Sequence, residues 1–271
     1  MKKILITNDD GIGAPGLFHL KKALDDVGEV VVIAPDREWT ASGHAKTMDK
    51  PLRITEVTLP DESGAYISNG APSDCVALAV LGFLPQLPDL VVSGINLGAN
   101  VGHDVTYSGT VAAAIEGTIS GIPSMAASLD TYEGGDFRYA GQYVAYLARQ
   151  VLAHGLPPSV LLNVNVPNVS PEKIAGLEIT RLGRRLYRDE LIERQDPRGQ
   201  AYYWIGGERP TGFAEDKGTD IWALANNYVS VTPIHLDMTD YRFIDELRSW
   251  KMSPPPAGQT RAAIQRNTTQ E

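Results

Sequence analysis

Ile4-Leu5-Ile6-Thr7-Asn8-Asp9-Asp10-Gly11-Ile12-Gly13-Ala14-Pro15-Gly16 is the stretch on which the fold turns. Its first four residues read as a short buried strand. Pro15 suits the first turn of a helix over 16–27, whose apolar positions Leu17, Leu20, Ala23 and Leu24 recur at helical spacing. Strand, glycine-rich turn and helix together open a parallel α/β unit. Outward from it the alternation continues. Strands are expected at 30–34 (stopped by Pro35), within 51–69 around a turn at Asp61-Glu62-Ser63-Gly64, and at 90–93, 123–128 and 161–166. Helices are expected from Ser73 or Asp74 to Leu84, over the small apolar run 110–120, and over about 137–153. The pattern predicts an α/β fold, a mostly parallel sheet with helices on both faces.

The second half changes character. Residues 176–209 are rich in Arg and Tyr, with strand-like pieces at 177–180 and 202–205. They read as an antiparallel extension, an arm able to reach another subunit. A strand at 228–234 and a helix at 241–250 follow, and the prolines after Ser253 suggest a mobile tail. The expected organisation is one α/β domain over 1–252, in which about 176–235 includes the extension, and a flexible C-terminal tail over 253–271.

Composition narrows the class. The 271 residues are 43% hydrophobic and 21% charged, normal for a globular chain with a sizeable core. Acidic residues outnumber basic ones 33 to 24, a net charge of −9, which argues against a nucleic-acid polymer or an anionic membrane as partner. One cysteine, Cys75, excludes an internal disulfide and a cysteine zinc cage; among apolar neighbours it reads as a small buried hydrophobe. No apolar run approaches the roughly 20 residues that span a bilayer, and the N-terminus lacks the apolar core of a signal peptide. A cytoplasmic location is the expectation.

Gly11-x-Gly13-x-x-Gly16, with Asp36 20 residues further on, imitates a dinucleotide fingerprint. The charge opposes that reading. Asn8-Asp9-Asp10 separates the strand from the first glycine, and two carboxylates beside a diphosphate repel it unless a cation lies between. The same pair suits a hard divalent cation, Mg²⁺ or Mn²⁺, which takes oxygen ligands from carboxylates, waters and phosphates. Capping and turn formation would need only one Asp.

Ligands of a parallel sheet gather beyond the carboxyl ends of its strands. The loop after the second strand, 36–44, carries Thr40, Ser42 and His44. The loop after 90–93 carries Asn96 and Asn100 between glycines, neutral oxygen ligands or phosphate donors. Ser108-Gly109-Thr110 precedes the Ala-rich helix and could direct hydroxyls and N–H groups at an anion. Each is ordinary turn chemistry alone. Four such loops at one sheet edge point to phosphate-ester chemistry. A nicotinamide-dependent oxidoreductase and a non-catalytic nucleotide-binding module are the other classes weighed.

Asn8-Asp9-Asp10-Gly11, Ala34-Pro35-Asp36-Arg37, Ser93-Gly94-Ile95-Asn96-x-Gly98-x-Asn100-x-Gly102 and Tyr107-Ser108-Gly109-Thr110-Val111 together resemble the SurE, or survival protein E, family of nucleotidases. Gly70-Ala71-Pro72-Ser73-Asp74-Cys75, Asn163-Val164-Asn165-Val166-Pro167, Tyr203-Trp204 and Val229-Ser230-Val231-Thr232-Pro233 extend the likeness to about residues 1–250. The resemblance implies a Rossmann-like core with a C-terminal antiparallel hairpin exchanged in a homodimer or homotetramer. It implies a phosphatase acting on nucleoside 5′-monophosphates, with 3′-monophosphates and short polyphosphate also in range, and one divalent metal ion per subunit. Family metal ligands carry over to Asp9, Asp10 and Asn96; the fourth, usually a serine, falls at Thr40, with Ser42 as the fallback.

The expected chemistry is in-line attack by a metal-activated water at Asp9 and Asp10, with Asn100, Ser108, Gly109 and Thr110 holding the phosphate oxygens. An aspartyl-phosphate route lacks both a D-x-D spacing and a nearby lysine. His44 and His103 fall in the candidate loops and are considered for protonating the leaving oxygen; His19, His154 and His235 read as structural. The aromatics of 187–204 could stack a nucleobase or fill an interface.

Overall fold

A computed structural model describes residues 1–252, so the tail expected at 253–271 lies outside the described residues. The chain divides into two units, Met1–Leu236 and one beginning at Asp237. In the first unit the elements run β1 (Lys3–Thr7), α1 (Pro15–Leu24), β2 (Glu29–Pro35), β3 (Ile54–Thr58), β4 (Gly64–Ser68), α2 (Pro72–Leu78), β5 (Leu90–Leu97), α3 (Gly109–Ile119), β6 (Ser124–Asp130), α4 (Phe137–His154), β7 (Val160–Pro167), β8 (Gly176–Ile179), β9 (Arg185–Gln195), β10 (Ala201–Gly212), α5 (Asp220–Ala225) and β11 (Tyr228–His235). In the second unit, α6 (Tyr241–Ser249) starts at Asp240, whose carboxylate accepts from the Arg242 and Phe243 amides.

Nine strands form one sheet in the order β3-β4-β2-β1-β5-β6-β7-β11-β8. The six consecutive strands β4 to β7 pair in parallel, while β3 and β11 enter antiparallel to β4 and β7. This is the mostly parallel α/β sheet that the alternation predicts. Chain order moves outward from β1 to β2 on one side, then resumes on the other with β5, β6 and β7. The crevice between the carboxyl ends of β1 and β5 is therefore a topological switch point, where ligands of such sheets bind.

The core explains the strand compositions. Ile4, Leu5 and Ile6 of β1, and Leu90, Val91 and Val92 of β5, are wholly buried because helices cover both sheet faces. One face packs Ile4 and Ile6 against Leu17, Leu20 and Leu24 of α1 and Val144 and Ala148 of α4; the other packs Leu5, Ile33 and Val91 against Cys75, Val76 and Ala113. Gly16 shows why the dinucleotide-like glycines are present. A Cβ there would stand 1.9 Å from the Ile95 carbonyl oxygen, so α1 reaches β5 only without one.

Several boundaries differ from the sequence reading. The second helix shortens to α2 and ends in a wider turn over Ala79–Phe83, where Gly82 adopts a positive φ of 124°. Strand β5 runs on past Ser93 to Leu97, with a register shift against β6 between Ser93 and Asn96. Such a bulge re-aims the side chain that follows it. The piece expected at 177–180 is not part of the antiparallel arm: it forms β8, which pairs in parallel with β11 at the edge of the main sheet, while the piece at 202–205 lies within the longer β10. Strands β9 and β10 form their own two-stranded antiparallel sheet of 11 and 12 residues.

Candidate active site

The strand-end loops meet at the switch point in a recess of about 470 Å³. Asp9, Asp10, Thr40, Asn96, Asn100 and Ser108 all line it, together with Glu38, Asp104, Tyr107, Tyr132 and Arg185. Backbone bonds fasten its loops to one another. The Trp39 N–H donates to the Asp9 carbonyl (2.7 Å), and the Gly43 N–H donates to that of Tyr107 (2.8 Å).

Asp9 is buried against the start of α3. Its carboxylate accepts the Thr110 hydroxyl, so the protein itself supplies an anion at the positive N-terminus of this helix. Burial raises its pKa despite that bond and the backbone amides of Asp9 and Thr110. Asp10 accepts from the Leu97 N–H at 3.3 Å. Burial, and then the Asp9 charge, push its carboxyl up to about 6. Glu38 adds further negative charge to both. Gly109 makes this closeness possible, because a Cβ there would lie 2.8 Å from the Asp9 Cβ and 3.0 Å from the Ser42 Oγ.

Asn96 donates its amide to the Gly98 carbonyl at 2.8 Å, a bond that does not use its own carbonyl oxygen. The Thr40 hydroxyl is exposed and donates to Glu38. Ser42 does not line the recess, although its buried hydroxyl has no hydrogen-bond partner among the described residues.

Asn100 is held through both its backbone and its side chain. Its N–H donates to Asn165 Oδ1 (2.8 Å), its carbonyl accepts from Asn163 and Asn165 (2.8 and 3.0 Å), and its side-chain amide donates to Ser128 (2.9 Å). Ser108 caps α3 by accepting from the Val111 N–H at 3.1 Å, which leaves its hydroxyl proton to give.

Three further candidates take these positions. Thr110 donates its hydroxyl to the Asp9 carboxylate. His44 Nε2 pairs with Glu116 at 2.9 Å and does not line the recess. His103 is exposed and also lies outside the lining.

Other contributors are given no role in the sequence reading, which quotes Asn163 and Asn165 only as part of the family likeness. Asn163 and Asn165 stand two apart in an otherwise apolar strand, hence on one face, and that spacing was the available signal. Asp220, wholly buried, takes the Gly102 and Gly183 amides at 2.8 and 2.7 Å and ties the root of β9 to the loop after β5. Nothing local marks it. Arg185 and Asp104, paired at 2.7 Å, meet across 81 positions of sequence.

With this geometry in view, comparison with known proteins is decisive. A family model described as "Survival protein SurE" matches residues 4–189. The chain belongs to the SurE family. Relatives named 5'-nucleotidase SurE from Chloroflexus aggregans and Herpetosiphon aurantiacus are each 53% identical, over 92% and 90% of this chain and 98% and 96% of theirs. The SurE crystal structure from Aquifex aeolicus superposes with a TM-score of 0.79 at 41% identity, covering 92% of this chain and all of that one. The dinucleotide-like glycines of this SurE chain thus sit beside an acidic recess.

Proposed function

We propose that this chain is a metal-dependent phosphomonoesterase that hydrolyses nucleoside 5′-monophosphates, with 3′-monophosphates and short polyphosphate as further substrates. The curated relatives carry the 5'-nucleotidase name at about half identity over nearly their whole length, which supports the reaction class. The observation that carries the reading is the adjacent, largely desolvated pair Asp9 and Asp10, with pKa values raised by burial and no cationic side chain among the causes acting on either. Carboxylates so placed fit one divalent cation, Mg²⁺ or Mn²⁺, which the Asn96 carbonyl and the Thr40 hydroxyl would complete as oxygen ligands. Ser42 is the alternative hydroxyl.

When bound, such a cation supplies Lewis-acid polarisation of the phosphoryl group and a lowered pKa for water. The rest belongs to the chain. Thr110 fixes the Asp9 carboxylate in orientation through its hydroxyl. The Ser108 hydroxyl and the second N–H of the Asn100 amide are donors for phosphate oxygens as charge develops, and the clamp from Asn163 and Asn165 spares Asn100 any reorganisation. Gly109 contributes by its lack of a side chain. His44 and His103, in the neighbouring loops, are the titratable candidates for protonating the leaving oxygen.

Among the described residues no helix is long and apolar enough to cross a membrane. The proposed setting is the cytoplasm, and the proposed assembly is a homodimer or homotetramer. The supporting observation is the arm: a hairpin needs further packing to be stable, and β10 exposes Trp204 and Ile205 at 64% and 82%.

Release of phosphate from AMP or GMP, abolished by EDTA and restored by Mn²⁺ or Mg²⁺, tests the reading. Nucleotide binding without turnover, or EDTA-insensitive turnover, overturns it.

A further inference from the structure

The recess has a second wall, built by the root of the arm. Arg185 opens β9, and its Nε donates to Asp104 Oδ2 at 2.7 Å. The other Asp104 oxygen accepts the Tyr187 hydroxyl, and Arg185 also bonds Tyr132. The Arg185 side chain is 11% exposed, so packing sets its position. Two residues earlier, the Gly183 amide is pinned by Asp220, which pins Gly102 as well. The guanidinium is therefore anchored at both its backbone and its head.

Charge gives this placement a purpose. Asp9, Asp10, Glu38 and Asp104 line the recess, and Arg185 is the only cationic side chain among its described lining residues. A phosphomonoester near pH 7 brings a further charge of about −1.5 to −2. One divalent cation offsets two of the four carboxylates, which leaves the incoming anion facing a net negative wall. A planar guanidinium matches phosphate oxygens in geometry as well as charge.

We infer that Arg185 is the cation that anchors the phosphoryl group of the substrate, and that Asp104 is its positioning residue. This rests on the phosphatase reading above for the identity of the anion. It makes the arm part of the active site. Arg185 also faces the buried carboxylates of Asp130 and Asp220, so the rival role is that of a structural counter-ion.

The two roles separate by titration calorimetry on the full chain. Inorganic phosphate is titrated onto Mn²⁺-loaded wild type, Arg185→Gln, Arg185→Lys and Asp104→Asn, and Mn²⁺ alone onto each metal-free protein. KM and kcat for AMP are measured alongside. Arg185→Gln is expected to weaken phosphate about 10- to 100-fold, the range for a lost charge-assisted hydrogen bond, and to raise KM more than it lowers kcat. Arg185→Lys recovers part of the loss, and Asp104→Asn shows a smaller rise in KM. Mn²⁺ affinity stays within about threefold, on the ground that Arg185 is not a proposed ligand.

Phosphate affinity unchanged in Arg185→Gln overturns the proposal. So does a parallel loss of phosphate and Mn²⁺ affinity, which marks a structural counter-ion. If the wild type releases no phosphate from AMP, the phosphatase reading falls, while the phosphate titration still decides the role of Arg185.

Discussion

Asp10 shows the tension between stability and function most directly. Its folded pKa of about 6 exceeds the usual 3.8, so the folded metal-free chain holds a proton that the unfolded chain has released between those values. Stability of the metal-free protein therefore falls as pH rises from about 4 to 6, and above that window the full cost of two adjacent carboxylates persists. Asp10→Asn is expected to raise the melting temperature of the metal-free protein by a few degrees at pH 7.5, with the gain shrinking as pH drops through 6. The same substitution, like Asp9→Asn, should lower turnover by about 10²- to 10³-fold or more with the far-UV circular dichroism unchanged. A melting temperature lowered by Asp10→Asn, or wild-type turnover in either variant, contradicts this account.

Asp61 illustrates the opposite sign, far from the site. The Ser63 hydroxyl at 2.5 Å, and then Lys21 at 3.0 Å, hold its carboxyl at about 2. Its contribution is complete above pH 3.8 and is lost as pH falls towards 2. Asp61→Asn should destabilise the chain at pH 6 and be indistinguishable from wild type near pH 2 in denaturant titrations.

At the scale of elements, the first turn of α3 carries the most consequence. Small residues let it approach β5 and β6 closely, and Gly109 lets it approach Asp9. Gly109→Ala favours the helix intrinsically, yet its methyl would enter contacts of 2.8–3.0 Å with Asp9 and Ser42. Overpacking of that kind costs about 1–3 kcal/mol, and the site can relieve it only by moving Asp9. The expected outcome is reduced Mn²⁺ affinity and turnover, read by calorimetry and phosphate release, in a chain of native helix content. A silent substitution would show that the Asp9 position is not critical.

The elements also show what local pattern could and could not reveal. Both carboxylates, Asn96 and the strand–turn–helix opening were legible because each is a departure from an expected local composition: doubled acid at a strand end, amide between glycines. The bulge that aims Asn96 was not, since it arises from pairing with β6. The bond from Thr110 to Asp9 was not legible, because the sequence does not say which anion a helix-start hydroxyl meets. The pairing of His44 with Glu116, 72 positions away, was hidden for a similar reason.

For the whole molecule, the arm is the feature that a single chain explains least. A two-stranded sheet has no layer of its own to bury Leu191, Trp204 and Ile205, all strongly exposed. Charged substitution at both Trp204 and Ile205 should shift the species seen by light scattering towards the monomer, with the melting temperature becoming independent of protein concentration. An unchanged oligomer distribution, or a wild type that is already monomeric, removes the arm from assembly.

By itself the sequence determined the layer order and the strand whose end carries the acids, because burial on two sheet faces demands apolar runs and a cation demands oxygen donors. Only the tertiary structure decided which distant groups complete the recess. Asn163, Asn165, Asp220, Asp104 and Arg185 act through contacts made across tens of residues, and their partners are set by how the sheet twists and stacks its loops. A side chain's chemistry is written locally, but what it touches is a property of the folded whole.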